Sequence, residues 1–263
     1  MLFLDQIQRT HGSDGGGTQL VAPSSFRIER EEIFGVIGFS GAGTDILPRL
    51  VELIDEHGGR RTVSRRKRLV PVASAELWAG RRPIGMLSQH FNPLHHRSVL
   101  ANVSFPLEVG GVPAREVRSR AAVCLEWVGL ADKSHAYPAQ LSDAEKRLVT
   151  LARALAPGPE VLLCDEPTSN LEPQSAKRIL SILQAVNRDF GATILIATRS
   201  LDVVRRICHA VAVMEAGFVA EQLRLADLYA APRTQLGRLL FTPRPPTQSL
   251  ARTGKCTDLC LTG

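Results

Sequence analysis

A glycine-rich loop between an apolar segment and a helix-like segment is the feature that most constrains how this chain can fold. Residues 33–37 are apolar, and glycines follow at positions 38, 41 and 43. This order of strand, loop and helix is the frame of a phosphate-binding loop, in which backbone N–H groups face an anion at a helix N-terminus. The frame predicts a phosphate site within an α/β fold.

Two positions of this loop depart from the phosphate-binding pattern. The pattern G-x-x-x-x-G-K-[ST] needs a Lys for the outer phosphates and a hydroxyl for magnesium, and Thr44 and Asp45 stand at those positions. One positive charge is therefore lost and one negative charge is gained. Taken alone, the loop also suits a tight turn in which Asp45 favours the helix dipole.

Length and composition bound the class of protein. The 263 residues are 44% hydrophobic and 22% charged, which suits one globular domain, alone or with a tail. No apolar run approaches the roughly 20 residues that cross a bilayer, and the start lacks a signal-peptide pattern, so we expect a cytoplasmic protein. Five cysteines suit a reducing compartment, and Cys256 and Cys260 lack the further ligands of a metal site.

The basic excess is concentrated in two short runs. The net charge is +6, and much of it falls in residues 60–61 and 65–68. No aromatic residues interleave these runs, so we expect solvated loops or strand edges and no specific nucleic-acid partner.

Alternating apolar strands and amphipathic helices predict a mainly parallel, doubly wound α/β sheet. Strands are predicted at 2–8, 18–28, 33–37, 83–87, 161–164 and 193–197, with a loop at 11–17. Helices are predicted at 44–56, 99–109, 113–129, 141–156 and 173–188, and residues 60–80 are predicted to be irregular. Because ligands bind beyond the carboxyl ends of such strands, Gly38, Gln89, Asp165 and Arg199 should converge on one crevice.

Five phrases in unbroken order carry a resemblance to a known family. They are Ile33–Gly43, Ile84–Asn92, Tyr137–Ser142, Leu151–Ala156 and Val161–Ser169. Together they resemble the ATP-binding subunits of ABC transporters, most of all those of bacterial methionine importers. The resemblance implies a P-loop NTPase-type nucleotide-binding domain over residues 1–241. It also implies an antiparallel N-terminal β subdomain, a helical subdomain at about 95–155 and a flexible tail at 242–263.

The same resemblance implies partners and a location. Such subunits sandwich two ATP molecules, with Mg²⁺, in a head-to-tail dimer that drives a membrane permease. We therefore expect a homodimer, or a heterodimer with an intact ATP-binding subunit, on the inner face of a bacterial plasma membrane. The tail is too short for the additional ligand-sensing domain of methionine importers, so we expect that mode of regulation to be absent.

Three residues keep the roles that the family assigns. Gln89 matches the glutamine that contacts magnesium and senses the γ-phosphate, and Asp165 matches the carboxylate that holds magnesium through water. Glu166 matches the general base that activates the attacking water. The full set implied for the nucleotide is His11, Gly38, Phe39, Ser40, Gly41, Ala42, Gly43, Thr44, Asp45, Gln89, Ser142, Asp143, Ala144 and Glu145.

Other positions depart from the family pattern. The signature Leu-Ser-Gly-Gly-Gln reads Leu141 to Glu145 here, which adds two carboxylates where a γ-phosphate should bind. Arg199 replaces the histidine that orients this phosphate, and His11 replaces an aromatic residue that stacks on adenine.

Two functional hypotheses follow. A Lys–phosphate contact at 4 Å contributes about 4 kcal/mol at an effective dielectric of 20, and Asp45 reverses its sign. The first hypothesis is an ATP-binding subunit whose hydrolysis is lost or impaired, a pseudo-ATPase. The second is a non-enzymatic interaction or scaffold module in which Arg199 forms an internal ion pair with Glu166 or Asp165. An unselected, decaying copy is a third interpretation.

Overall fold

Two β-sheets and a set of helices make up the part of the chain that this computed structural model describes. The described residues are 2–11, 18–38, 61–64, 67–68, 84–89, 93–216, 218–226 and 232–241. The strands are β1 (Leu2–His11), β2 (Thr18–Ile28), β3 (Ile33–Gly38), β4 (Arg61–Ser64), β5 (Lys67–Arg68), β6 (Ile84–Leu87), β7 (Val161–Asp165), β8 (Thr193–Thr198), β9 (Ala210–Glu215) and β10 (Phe218–Arg224). The α-helices are α1 (Val99–Val109), α2 (Ala114–Val128), α3 (Asp143–Leu155), α4 (Pro173–Phe190), α5 (Leu201–Ile207) and α6 (Gln235–Phe241).

The larger sheet has the strand order β10-β9-β3-β8-β7-β6. Its pairs are parallel except for β10, which runs antiparallel to β9 at one edge. Every residue of β3, β7 and β8 is buried, which explains why these segments are continuous apolar runs rather than alternating ones. The prediction of a mainly parallel α/β sheet is confirmed.

The smaller sheet is antiparallel and has the order β2-β1-β4-β5. The predicted loop was wrong at its first residue, because β1 continues to His11, which pairs with Thr18. Three register irregularities between Leu4 and Thr10 break the alternation that marks a strand in the sequence. The expected irregular stretch at 60–80 was also wrong in part, since the short strands β4 and β5 lie within it.

Helices α1, α2 and α3 pack on one another beside the larger sheet. Asn102, fully buried on α1, donates through Nδ2 to the carbonyls of Leu94, Arg97 and Ser98 at 3.0–3.1 Å and so holds the segment that leads from β6 into the helix. The predicted helices at 99–109, 113–129 and 141–156 are found here within two residues of their bounds. The helix predicted at 44–56 lies outside the described residues.

The carboxyl-terminal part of the larger sheet was not predicted element by element. Helix α5, strands β9 and β10 and helix α6 follow β8, and residues 210–214 of β9 are buried. None of the described helices is both long enough and apolar enough to cross a membrane.

Candidate functional site

The carboxyl ends of four parallel strands meet at one edge of the larger sheet. Gly38 ends β3, Gln89 follows β6, Asp165 ends β7 and Arg199 follows β8. The register pairs that align these ends are Leu87 with Cys164, Asp165 with Ala197, and Ile37 with Thr198. The four residues predicted to share a crevice therefore lie at the same edge.

Glu166, directly after β7, is held by its neighbours on β8. Its Oε1 atom accepts hydrogen bonds from the backbone N–H of Arg199 at 2.9 Å and from Arg199 Nε at 3.0 Å. Its Oε2 atom accepts a hydrogen bond from Thr198 Oγ1 at 3.1 Å. The Glu166 side chain is only 14% exposed, whereas that of Arg199 is 56% exposed. Three of the roughly four lone-pair positions of the carboxylate are thus occupied from within the protein.

The backbone around Glu166 is fixed by Arg147, a residue that was not predicted to belong to the site. Arg147 is 1% exposed, and its two terminal nitrogens donate to the carbonyls of Glu166 at 3.1 Å and Ser169 at 3.2 Å. Burial lowers the pKa of Arg147, and the nearby carboxylate of Asp165 opposes that shift. The sequence does hold one indication that Arg147 is buried, because it lies at helical spacing on the same face of α3 as Leu151 and Ala154.

The N-terminus of α3 is capped by its own side chains. The Ser142 hydroxyl accepts from the Glu145 N–H at 3.3 Å, and Glu145 Oε2 accepts from the Ser142 N–H at 2.8 Å and hydroxyl at 2.9 Å. The other oxygen of Glu145 pairs with Lys133. These contacts, with the Lys133 hydrogen bond first, lower the pKa of Glu145 to about 2.

Both new carboxylates of this segment have partners within the chain. Glu145 is turned back onto Ser142 and Lys133, and Asp143 pairs with Lys146 at 3.0 Å. The reason is local, because each acid lies within reach of a lysine, and Glu145 also accepts from the N–H of the N-cap residue Ser142.

The remaining predicted residues are placed only in part. Asp165 is buried, with 5% of its surface exposed, and Gln89 is half-buried. His11 is placed by its backbone in β1. Residues 39–45, which include both substituted positions of the glycine loop, lie outside the described residues.

Comparison with known proteins decides the family. The profile of the ABC transporter family matches residues 21–169, more than half of the chain. The methionine import ATP-binding protein MetN of Thermobifida fusca is 48% identical over 221 residues, covering 84% of this chain and 69% of that protein. The chain belongs to the ABC transporter family. A MetN of Xanthomonas oryzae is 41% identical over 233 residues, covering 89% of this chain and 70% of that protein.

Solved structures of ABC cassettes share the fold. The dimeric post-hydrolysis state of the ATP-binding cassette MJ0796, bound to ADP and phosphate, has a TM-score of 0.78 at 25% identity and covers 85% of this chain and 98% of the cassette. cbiO1 from Clostridium perfringens, part of an ABC transporter complex, has a TM-score of 0.76 at 27% identity and covers 85% of this chain and 88% of its own. The ABC family resemblance and the fold class predicted from sequence are both confirmed.

Proposed function

We propose that this chain is the ATP-binding subunit of an importer for methionine or a related amino acid, and that its own site hydrolyses ATP slowly or not at all. The substrate class is supported by the MetN relatives, which are 48% and 41% identical to this chain. The permease partner and the position on the inner face of the plasma membrane follow from the mode of action of the family.

The observation that carries the proposed loss of hydrolysis is the occupation of the Glu166 carboxylate. A general base must come within about 2.6–3.2 Å of the water that it activates. Arg199 and Thr198 already occupy both oxygens of Glu166, and Arg199 adds a positive charge next to the base. One of the roughly four lone-pair positions, on Oε2, is left for a water, so proton abstraction has to use that position or displace Arg199 or Thr198.

The residues expected around the γ-phosphate also support the proposed loss of hydrolysis. The backbone and hydroxyl of Ser142, at the start of α3, would meet the γ-phosphate of a nucleotide held by a second subunit. The Glu145 carboxylate now occupies that helix N-terminus. Thr44 and Asp45 remove the charge that would hold the outer phosphates from the other side. A γ-phosphate would have to displace the Glu145 carboxylate from Ser142 and approach the carboxylate of Asp45.

The residues expected to hold the metal do fit a magnesium ion. Gln89 and Asp165 supply the amide and carboxylate oxygens that Mg²⁺ prefers, and both lie at the same sheet edge. These two residues would hold the ion, which supplies charge neutralisation for the phosphate oxygens. Nucleotide is therefore expected to contact residues 38–45 and Gln89, with His11 against the base.

The proposal predicts a dimer whose two sites differ when the second subunit is intact. In a heterodimer, this chain contributes Ser142–Glu145 to one site and Glu166 to the other, so both sites carry one altered face. In a homodimer, both faces of both sites are altered.

The test is restoration of the substituted positions. The restored variant carries Thr44→Lys and Asp45→Ser in the glycine loop, Asp143→Gly, Ala144→Gly and Glu145→Gln at the start of α3, and Arg199→His. It should hydrolyse ATP faster than the unaltered chain, and adding Glu166→Gln should abolish the gain. Equal turnover in the unaltered and restored proteins, with equal folded fractions by circular dichroism, contradicts the proposal.

A second candidate function, a scaffold module that does not use nucleotide, is favoured by one contact. The ion pair between Arg199 Nε and Glu166 Oε1 at 3.0 Å is the internal pair that this hypothesis predicts. Thermal shift separates the two functions, because ligand binding to the folded state adds RT ln(1 + [L]/Kd) to its stability. A stabilisation that rises with ATP concentration excludes the scaffold, and a constant melting temperature up to millimolar ATP supports it.

A further inference from the structure

A cavity lies at the amino ends of β7 and β8, on the opposite side of the larger sheet from Glu166. It has a volume of about 500 Å³, within the range of about 300–1,000 Å³ that is usual for small-molecule sites. Val161 and Thr193, which begin β7 and β8, form its floor, and helices α2 and α4 form its walls. Those strands are five and six residues long, so about 15–20 Å separate this cavity from the site at their carboxyl ends.

Two aromatic rings form one wall of the cavity. Trp127 on α2 and Phe190 at the end of α4 have ring centroids 5.0 Å apart at an angle of 54°. Phe190 is 63% exposed, and Val123, one turn before Trp127, is 61% exposed. Two large apolar side chains therefore remain open to solvent at the mouth of a concave surface.

Glu31, whose backbone is fixed in a turn, lines the same cavity as these rings. Glu31 lies between β2 and β3 with a φ of 59°, in the left-handed region that a residue with a side chain rarely adopts. Its N–H donates to Thr193 Oγ1 at 3.0 Å, and its carbonyl accepts from Asn187 Nδ2 at 2.8 Å. A Cβ atom built on Gly191, the residue after Phe190, would lie 3.4 Å from Glu31 Oε1.

The ionisable residues that line the cavity carry an excess of one negative charge. Glu31 and the half-buried Glu160 are acidic, and Arg30 is basic. Among the described residues, no lysine or arginine forms an ion pair with Glu31. Carboxylates next to aromatic faces attract a positive charge, since the face of an aromatic ring is itself negative.

We propose that this cavity binds a small organic cation, an apolar group that carries an ammonium. The apolar group packs against Trp127 and Phe190, and the ammonium lies between the ring faces and the Glu31 carboxylate. The strained turn fixes the backbone of Glu31 at the rim of the cavity. Arg30, which is exposed on the same rim, repels the cation and weakens its binding.

The experiment compares three probes that share one benzene ring and differ in charge. They are benzyltrimethylammonium, phenylacetate and benzyl alcohol, titrated into the full chain and followed through their NMR signals. A probe of this size should bind with a Kd of about millimolar. The cation should bind at least about fivefold more tightly than phenylacetate, since one partly exposed charge contributes about that much.

Variants on the exposed rim locate the site without unfolding the chain. Glu31→Gln should weaken cation binding about two- to fivefold, and Arg30→Gln should strengthen it by a similar factor. Phe190→Ala should weaken it, whereas Phe218→Ala, an exposed aromatic on β10, and Glu126→Gln, an exposed acid on α2, should leave it unchanged.

Three results overturn the proposal. The first is equal or tighter binding of phenylacetate, which would make Arg30 the dominant charge. The second is an equal effect of Phe190→Ala and Phe218→Ala. The third is the absence of binding by any probe well above millimolar concentration.

Discussion

Glu166 is restrained at both its backbone and its carboxylate. Its φ of 44° is a left-handed conformation that costs of order 1 kcal/mol for a residue with a side chain. Its N–H donates to the carbonyl of Ala197 at 2.8 Å, its own carbonyl accepts from Arg147, and its carboxylate accepts from β8 and Arg199. A side chain with so many partners is suited to holding a loop, and less suited to exchanging a proton with water.

The two partners of the Glu166 carboxylate should differ in their effect on stability. Thr198 is 1% exposed, so Thr198→Val should lower the free energy of unfolding by about 1–3 kcal/mol, because it leaves a buried carboxylate oxygen without its donor. Arg199 is 56% exposed, so Arg199→Ala should lower it by less than about 1 kcal/mol. Urea denaturation of the two variants measures the difference, and the reverse order of the two losses would contradict it.

Arg147 should be among the more costly side chains to remove. It is buried and bonds two carbonyls of the loop after β7, so Arg147→Leu should lower the free energy of unfolding by about 3 kcal/mol. Arg120→Leu is the matched control, because Arg120 lies in an exposed pair with Glu116 and should cost less than about 1 kcal/mol. Equal losses in both variants would show that the carbonyls of Glu166 and Ser169 do not depend on Arg147.

At the scale of an element, α3 begins with a cap that is built from its own side chains. Glu145 completes a capping box with Ser142 and pairs with Lys133, which ties the start of α3 to the short helix at Ala131–Lys133. The Glu145 carboxylate accepts from the Ser142 N–H, and the Ser142 hydroxyl accepts from the Glu145 N–H, so two N–H groups at this helix end have partners within the chain.

The cap of α3 should make stability depend on pH in a defined window. The pKa of Glu145 is lowered to about 2 in the folded chain, so its contribution is complete above the ordinary value of 4.5 and is lost as the pH falls towards 2. Glu145→Gln should therefore cost about 1 kcal/mol at neutral pH and progressively less as the pH falls below 4.5. Urea denaturation of both proteins from neutral pH down to about pH 3 checks this, with Glu126→Gln as an exposed control. A difference that stays constant over this range would contradict it.

How well each element was predicted depends on whether its apolar residues form a pattern that is typical of a strand or a helix. The fully buried strands β3, β7 and β8 were predicted because both of their faces are apolar, and α2 because its apolar side chains recur every three or four residues. The end of β1 was missed because bulges interrupt its alternation. Strands β4 and β5 were missed because they are only four and two residues long and three of their six side chains are basic. Arg147 was missed because its partners are backbone carbonyls far along the chain, which no local pattern reveals.

At the scale of the whole molecule, the parallel sheet separates two regions of different chemistry. Its carboxyl edge carries Asp165, Glu166 and Arg199, and its amino edge carries the aromatic cavity next to Glu31. The convergence of these residues at the carboxyl edge was predictable because each follows a predicted strand and parallel strands end at the same edge of a sheet. The state of Glu166 was open between a working base and an internal ion pair, and only the contacts favour the pair.

The measurement that tests the central claim most directly is magnesium-dependent ATP hydrolysis by the unaltered chain, compared with its Glu166→Gln variant. The proposed account predicts the same background rate for both proteins, because Arg199 and Thr198 hold the carboxylate and the substituted glycine loop does not hold the outer phosphates. A rate in the unaltered chain that clearly exceeds that of Glu166→Gln would contradict the account and show that Glu166 works as a base.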